Sequence, residues 1–323
     1  MLSNRLNFFQ VSLKKNIPII EKNYLNLKKI YKNFSLTIVC KDEELYLFKK
    51  LSCYPEIKFI NESFFIKLSD FKKIFYDHCS NKIFLKKNKW RTSWYYQQVI
   101  KISYIFHFFN NSFGNKLILW EADTLILNKI EFFNKNQSNV FGSLFEFNKK
   151  YFQTLLFIFK KLPKNYLSGT CQFNSISKSD FIILKKELKK FFIKEHNNPI
   201  WISHLVGKAV FSAHKNYFVS LFSEQDLLTI NRLLYNNSKQ KPVLYFRSNM
   251  KGELSNIQIL ILKKLGFVHL TYDHYDKVAG KKINNLRFLC EVFKLMLIYF
   301  PKYTYFFIKS YSFFNKIYKM HKA

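Results

Sequence analysis

Residues 117–127 read Leu-Ile-Leu-Trp-Glu-Ala-Asp-Thr-Leu-Ile-Leu, an apolar run interrupted by two carboxylates, Glu121 and Asp123, at spacing i, i+2. On a strand, side chains alternate faces, so the two would point the same way. Burying them together without a partner is costly and raises at least one pKa. A divalent cation removes the conflict, because hard oxygen ligands at a strand's carboxyl end suit Mg²⁺ or Mn²⁺ bridging to phosphates. Open α/β sheets bind their ligands at that edge. The competing reading ends the strand at Trp120 and makes Glu-Ala-Asp-Thr an exposed turn with no task.

Upstream, residues 93–101 read Ser-Trp-Tyr-Tyr-Gln-Gln-Val-Ile-Lys, followed by Ile102, Tyr104, Ile105 and Phe108. The spacing predicts a helix over 94–108 with Ser93 as its N-cap. Gln97 and Lys101 stand four apart and share a face. An amide and an ammonium on one side of a helix, followed by a strand ending in Glu-x-Asp, make an anion site beside a metal site. The plainer reading is a solvated polar face.

Together the two segments resemble the core of a family of bacterial GT-A type glycosyltransferases, which carry a W-Y-x-Q-Q-x-x-K helix and a D-A-D-T strand end. Other pieces agree in order: Ile60-Asn61-Glu62, Lys129 to Phe133, Tyr151-Phe152-Gln153-Thr154, Ser168 to Ile176, Phe222 to Leu227, and Gly266-Phe267. The resemblance spans roughly residues 35–276. It implies a GT-A-like, doubly wound, mostly parallel sheet with helices on both faces, in a domain over 1–285. It also implies metal-dependent transfer from a nucleotide-sugar, UDP-linked by first choice, to a surface-polysaccharide or lipid-linked glycan. Asp123, with Glu121, would hold Mn²⁺ or Mg²⁺ against the departing diphosphate. Asn61 and Glu62 would face the nucleotide. Trp94, Gln97, Gln98 and Lys101 would line the donor side, and Gln172 the acceptor side. Glu224, in Phe-Ser-Glu, is the candidate general base, although Ser223 with Asp226 also reads as a capping box.

The chain departs from the pattern at three places. Glu121 replaces the first Asp, Phe173 stands where a His is common, and Asp226 replaces a Glu. These departures keep a second reading open, a non-catalytic relative that binds a carbohydrate or a partner.

The 323 residues suffice for a substantial core. The 38 Phe and 20 Tyr, beside abundant Lys, Asn and Ile, match an AT-rich coding genome rather than an aromatic platform. A net charge of +32 points to an anionic partner. Lysines are spread throughout and no nucleic-acid module is evident, so nucleic acid is not expected. An anionic membrane surface is the better candidate. The segment 286–323 is basic and aromatic, and Lys294, Pro301 and Lys302 break any span, so interfacial helices or a helix packed back on the domain are expected. Five cysteines without a CxxC pair give neither a disulfide framework nor a zinc site. Met1 to Lys15 is mixed and polar, which reads as no signal peptide and a cytoplasmic protein, peripheral on the inner membrane face.

Alternating patterns complete the α/β expectation: strands at 34–40, 56–60, 116–120, 243–246 and 268–272, with helices near 151–161, 178–194 and 257–265.

Overall fold

The computed structural model describes residues 5–78, 82–135, 137–144, 149–163, 167–169, 171–191, 200–212, 221–236, 238–248, 252–272 and 281–299. The chain divides into two compact units. The first comprises Met1–Lys14, Lys32–Ala122 and Glu131–Val243, and the second Lys15–Tyr31, Asp123–Ile130 and Leu244–Ala323.

The first unit is built on a five-stranded sheet. Its strands are β1 (Leu6–Val11), β2 (Phe34–Cys40), β3 (Ile57–Asn61), β4 (Lys116–Trp120) and the strand Phe173–Ser177. The order is β3-β2-β1-β4 and then Phe173–Ser177. The first four are parallel, and the last runs antiparallel to β4, with Trp120 opposite Phe173. The chain steps outward from β1 to β3 and then returns to the other side of β1, which is the doubly wound pattern. This is the expected α/β class, a doubly wound and mostly parallel central sheet.

All seven residues of β2 are buried, as a strand covered on both faces requires. Neighbours on β1 serve opposite faces. Phe9 packs with Val39, Leu117 and Leu119 into the core formed with the helix Lys82–Asn110. Phe8 instead meets Trp120 and Phe132 edge-on, at 6.1 and 5.6 Å between ring centres, and Trp120 stacks on Phe173 at 5.5 Å.

Two expectations are corrected here. The polar reading of the first fifteen residues missed β1, the central strand. Asn7 and Gln10 lie on opposite faces and obscure its alternation, yet Asn7 is satisfied by Lys116 O and Ser35 Oγ at 3.0 and 2.8 Å. Nor does the long helix begin after Ser93. It starts at Lys82, and Ser93 is an exposed mid-helix residue. Between Lys82 and Asn110 there is no Gly or Pro, so an isolated Ser is too weak a breaker to stop it.

The run 117–127 also proves to be two strands. β4 ends at Trp120, Glu121 to Asp123 form a turn, and β5 (Thr124–Ile126) begins in the second unit. The same-face alternation expected for Glu121 and Asp123 therefore does not apply.

In the second unit the sheet order is Tyr245–Ser248, His269–Tyr272, β5, with β5 antiparallel to its neighbour. Helix Ile17–Ile30 serves the edge at Ile126: its N–H donates to Asn23 Oδ1, and its carbonyl accepts from Asn26 Nδ2, both at 2.8 Å. Leu125, Leu127, Phe246, Leu262 and Phe267 form the core. The helix Asn256–Lys264 is followed by Gly266 at φ +82°, a conformation that glycine adopts freely. The domain boundary expected at 285/286 falls at the start of the helix Asn285–Tyr299, whose Phe288 and Val292 enter this core. Residues 300–323, the larger part of the expected interfacial tail, lie outside the described residues. No helix among the described residues is long and apolar enough to cross a membrane.

Candidate functional site

Because β1 to β4 are parallel, their carboxyl ends share one edge of the sheet. Glu121 follows β4 there, and Asn61 ends β3. Lys101 comes from the long helix, three residues after Gln98 and therefore on its face. Glu224 is the first residue of the helix Glu224–Tyr235, which Ser223 caps by accepting from Asp226 N at 3.3 Å.

These groups converge. Lys101 Nζ donates to Glu121 Oε1 and, at 2.9 Å, to Glu224 Oε1. Gln225 Nε2 donates to the same Glu121 oxygen at 2.8 Å. The Glu224 N–H donates to Gln98 Oε1 at 3.0 Å. Lys101 and Glu224 are 4% and 1% exposed, whereas the Glu121 side chain is 24% exposed. Glu121 is the carboxylate of this cluster that meets solvent, and Glu224 lies behind Lys101.

One ammonium thus faces two carboxylates. Burial alone would lower Lys101, but Glu121 and Glu224 outweigh it and hold the ammonium above the ordinary lysine range. Burial pushes Glu224 up, Lys101 pulls it back, and Glu121 pushes it up again, so its carboxyl stays above the usual range.

The first turn of the Glu224 helix also fixes Gly169 and Cys171. Gly169 N donates to Asp226 Oδ1 at 2.7 Å, and Cys171 N to Gln225 Oε1 at 3.1 Å. A Cβ at Gly169 would stand 2.8 Å from Gln225 O, so only glycine fits. Gln172, at φ +67°, is held through its backbone: its carbonyl accepts from Glu121 N at 3.0 Å. This conformation is uncommon for a residue with a side chain.

The structure thus brings together Gln98, Lys101, Glu121, Glu224 and the Gln172 backbone. Gln97 lies outside the network. Trp94 packs beside Tyr95 and Tyr151, with ring centres 5.0 and 6.3 Å away. Asp123 belongs to the second unit, where its carbonyl accepts from Tyr272 N at 3.0 Å and its Oδ1 accepts from Thr124 Oγ1 at 3.4 Å. Gln225 was not singled out from the sequence, although an amide directly after Glu224 at a helix start was the available signal. The Ser223–Asp226 box forms only in part, since the Asp226 carboxylate turns to Gly169.

At Glu121, Oε1 already takes two hydrogen bonds, from the Lys101 ammonium and the Gln225 amide, so a divalent ion would be met through Oε2. No group of three or more His, Cys, Asp or Glu suited to a metal occurs among the described residues.

Glu62, just past β3, sits beside Asp42, Glu43 and Glu44. Burial pushes its carboxyl up to about 7, Lys41 offsets part of this, and the three acids add to it. The folded state holds this proton more tightly than the unfolded chain. Its contribution is therefore complete below 4.5 and lost as pH rises through about 7. Glu62→Gln should raise the melting temperature more at pH 8 than at pH 5; thermal scans at the two values check this, and equal shifts would refute it.

Comparison with known proteins adds the following. No protein-family model and no curated protein sequence matches this chain. A solved structure does: the galactosyltransferase LgtC in complex with donor and acceptor sugar analogs. The match covers 88% of this chain and 94% of that one, at 8% identity and a TM-score of 0.41.

Proposed function

We propose that the protein transfers a sugar from a nucleotide-sugar donor, UDP-linked by first choice, to a glycan or lipid-linked glycan acceptor. The observation that carries this is the Lys101–Glu121–Glu224 cluster at the carboxyl edge of a doubly wound sheet. Taking three ionisable groups out of water is a poor way to gain stability, since such clusters often match or trail apolar packing. Perturbed, desolvated groups at a ligand-binding edge are instead the mark of a working site.

In this reading Glu121 is the carboxylate that meets substrate. Lys101 and Gln225 hold it fixed, ready to accept a hydrogen bond from a donor or acceptor hydroxyl. Glu224, at 1% exposure, is a positioning residue for Lys101 rather than the base itself. That same burial favours the second reading, a non-catalytic glycan- or partner-binding relative. Location at an anionic inner membrane face remains a proposal resting on the net charge of +32.

Calorimetric titration with UDP, with and without Mn²⁺ or Mg²⁺, tests the donor site. UDP binding is expected, and Asp123→Ala should abolish any ion-dependent part of it. Glu121→Gln should keep UDP binding yet lower turnover of the sugar donor by about a hundredfold. Binding without turnover of any donor would favour the second reading, and no binding of UDP, GDP or CDP would sink the donor site.

A further inference from the structure

On the face of the sheet that carries Phe9 and Val39, the side chains nearest the start of the strands are polar. The register sets Asn7 opposite Ser35 and Thr37 opposite Lys58, all on this face. They line a cavity of about 350 Å³ in the first unit, together with Arg5 and the last turns of the long helix. That volume is in the range of small-molecule sites. Glu121 follows the carboxyl end of β4 and is not among the residues that line this cavity.

Its lining has a consistent chemistry. Arg5 and Lys58 are its two fully charged residues, and no carboxylate lines it. Arg5 Nη2 donates to Phe34 O at 3.2 Å, which holds the guanidinium at the wall of the cavity. His107 Nδ1 faces Asn111 Nδ2 at 3.2 Å, and that amide nitrogen can only donate, which leaves the proton on Nε2. The remaining wall is aromatic, including Phe108 and Phe113, the latter 54% exposed.

We propose that this cavity binds a small phosphate-bearing molecule with an apolar body, the phosphate met by Arg5 and Lys58 and the body by the aromatic wall. The phosphate could belong to a soluble phosphomonoester or to a lipid headgroup. The site is separate from the donor site proposed above and does not depend on that reading.

Calorimetric titration of the full chain with inorganic phosphate, phenyl phosphate and short-chain phosphatidic acid tests it. At least one organic phosphate should bind about tenfold or more tightly than inorganic phosphate, and Arg5→Gln and Lys58→Gln should each weaken it about tenfold. Lys58 is exposed, so its variant reports on binding even if Arg5→Gln disturbs folding. Stronger binding of phosphatidic acid assigns the lipid source, and stronger binding of phenyl phosphate the soluble one. Lys264→Gln, an exposed site in the second unit, should change nothing. An equal loss in Lys264→Gln would show general attraction to a basic protein and overturn the proposal. So would competition by UDP, or organic phosphates binding no better than inorganic phosphate.

Discussion

Replacing Lys101 by methionine is expected to cost about 3–5 kcal/mol of stability at pH 8, because the change leaves Glu224 buried with its charge unmet. Methionine keeps most of the side-chain volume, so loss of packing is not the main effect. The loss should also depend on pH in a defined sense. Without Lys101, burial and the neighbouring Glu121 push Glu224 still higher. The folded variant then binds a proton that the unfolded chain releases. Stability of the variant is greatest below the ordinary glutamate range and falls as pH rises through the elevated value. Urea unfolding at pH 5 and pH 8 reads both parts: the gap to wild type should narrow at pH 5. A gap that is equal at the two values would mean that Lys101 is not what holds the charge of Glu224. The double change Lys101→Met with Glu224→Gln should recover much of the loss at pH 8, since it removes the orphaned charge.

Arg232→Met is expected to cost a similar amount, about 3–5 kcal/mol, by a different route. Arg232 is 1% exposed, yet its guanidinium is fully engaged. Nε donates to Leu228 O at 3.1 Å, and Nη1 to Ser138 Oγ at 2.9 Å and to Ser175 O. Nη2 donates to Asn174 Oδ1. Ser138 Oγ passes the charge on, donating to Asp180 Oδ2 at 2.6 Å. Asp180 in turn closes the capping box of the helix Lys178–Leu188 by accepting from Ser177 N at 2.9 Å. One cation thus joins two helices to the edge strand Phe173–Ser177. Removing it takes a donor at once from two backbone carbonyls, the Ser138 hydroxyl and the Asn174 amide oxygen. Asp180→Asn should cost less, and the two changes together less than their sum, because both act through Ser138. Urea midpoints of the three variants measure that coupling; strict additivity would show that the relay through Ser138 carries no energy.

What the sequence disclosed, and what it hid, follows physical lines. Strands β2 and β4 were legible because strands covered on both faces read as short apolar runs, and the edge strand β3 was legible through Ile57, Phe59 and Ile60. β1 was not, since Asn7 and Gln10 mask its pattern and the partners of Asn7 lie on β2 and β4. The run 117–127 looked like one strand because periodicity cannot show where a chain leaves one sheet for another. At the site, Lys101, Glu121 and Glu224 stood out as charges in apolar surroundings. Their convergence did not, for Lys101 and Glu224 lie 123 positions apart and local spacing carries no trace of that contact. Asp226 was weighed only as a cap, although its carboxylate holds the Gly169 amide.

The interleaving of the two units has a consequence for biogenesis. Each is assembled from three separate stretches of chain, and the sheet of the second pairs β5 with residues 269–272. A ribosome that has released residues up to 243 has supplied every stretch of the first unit but only two stretches of the second. Until the rest arrives, β5 waits without the strand His269–Tyr272 that it pairs with. Folding of the second unit is therefore bound to be late and dominated by distant contacts, the regime in which chains fold slowly and are most exposed to aggregation.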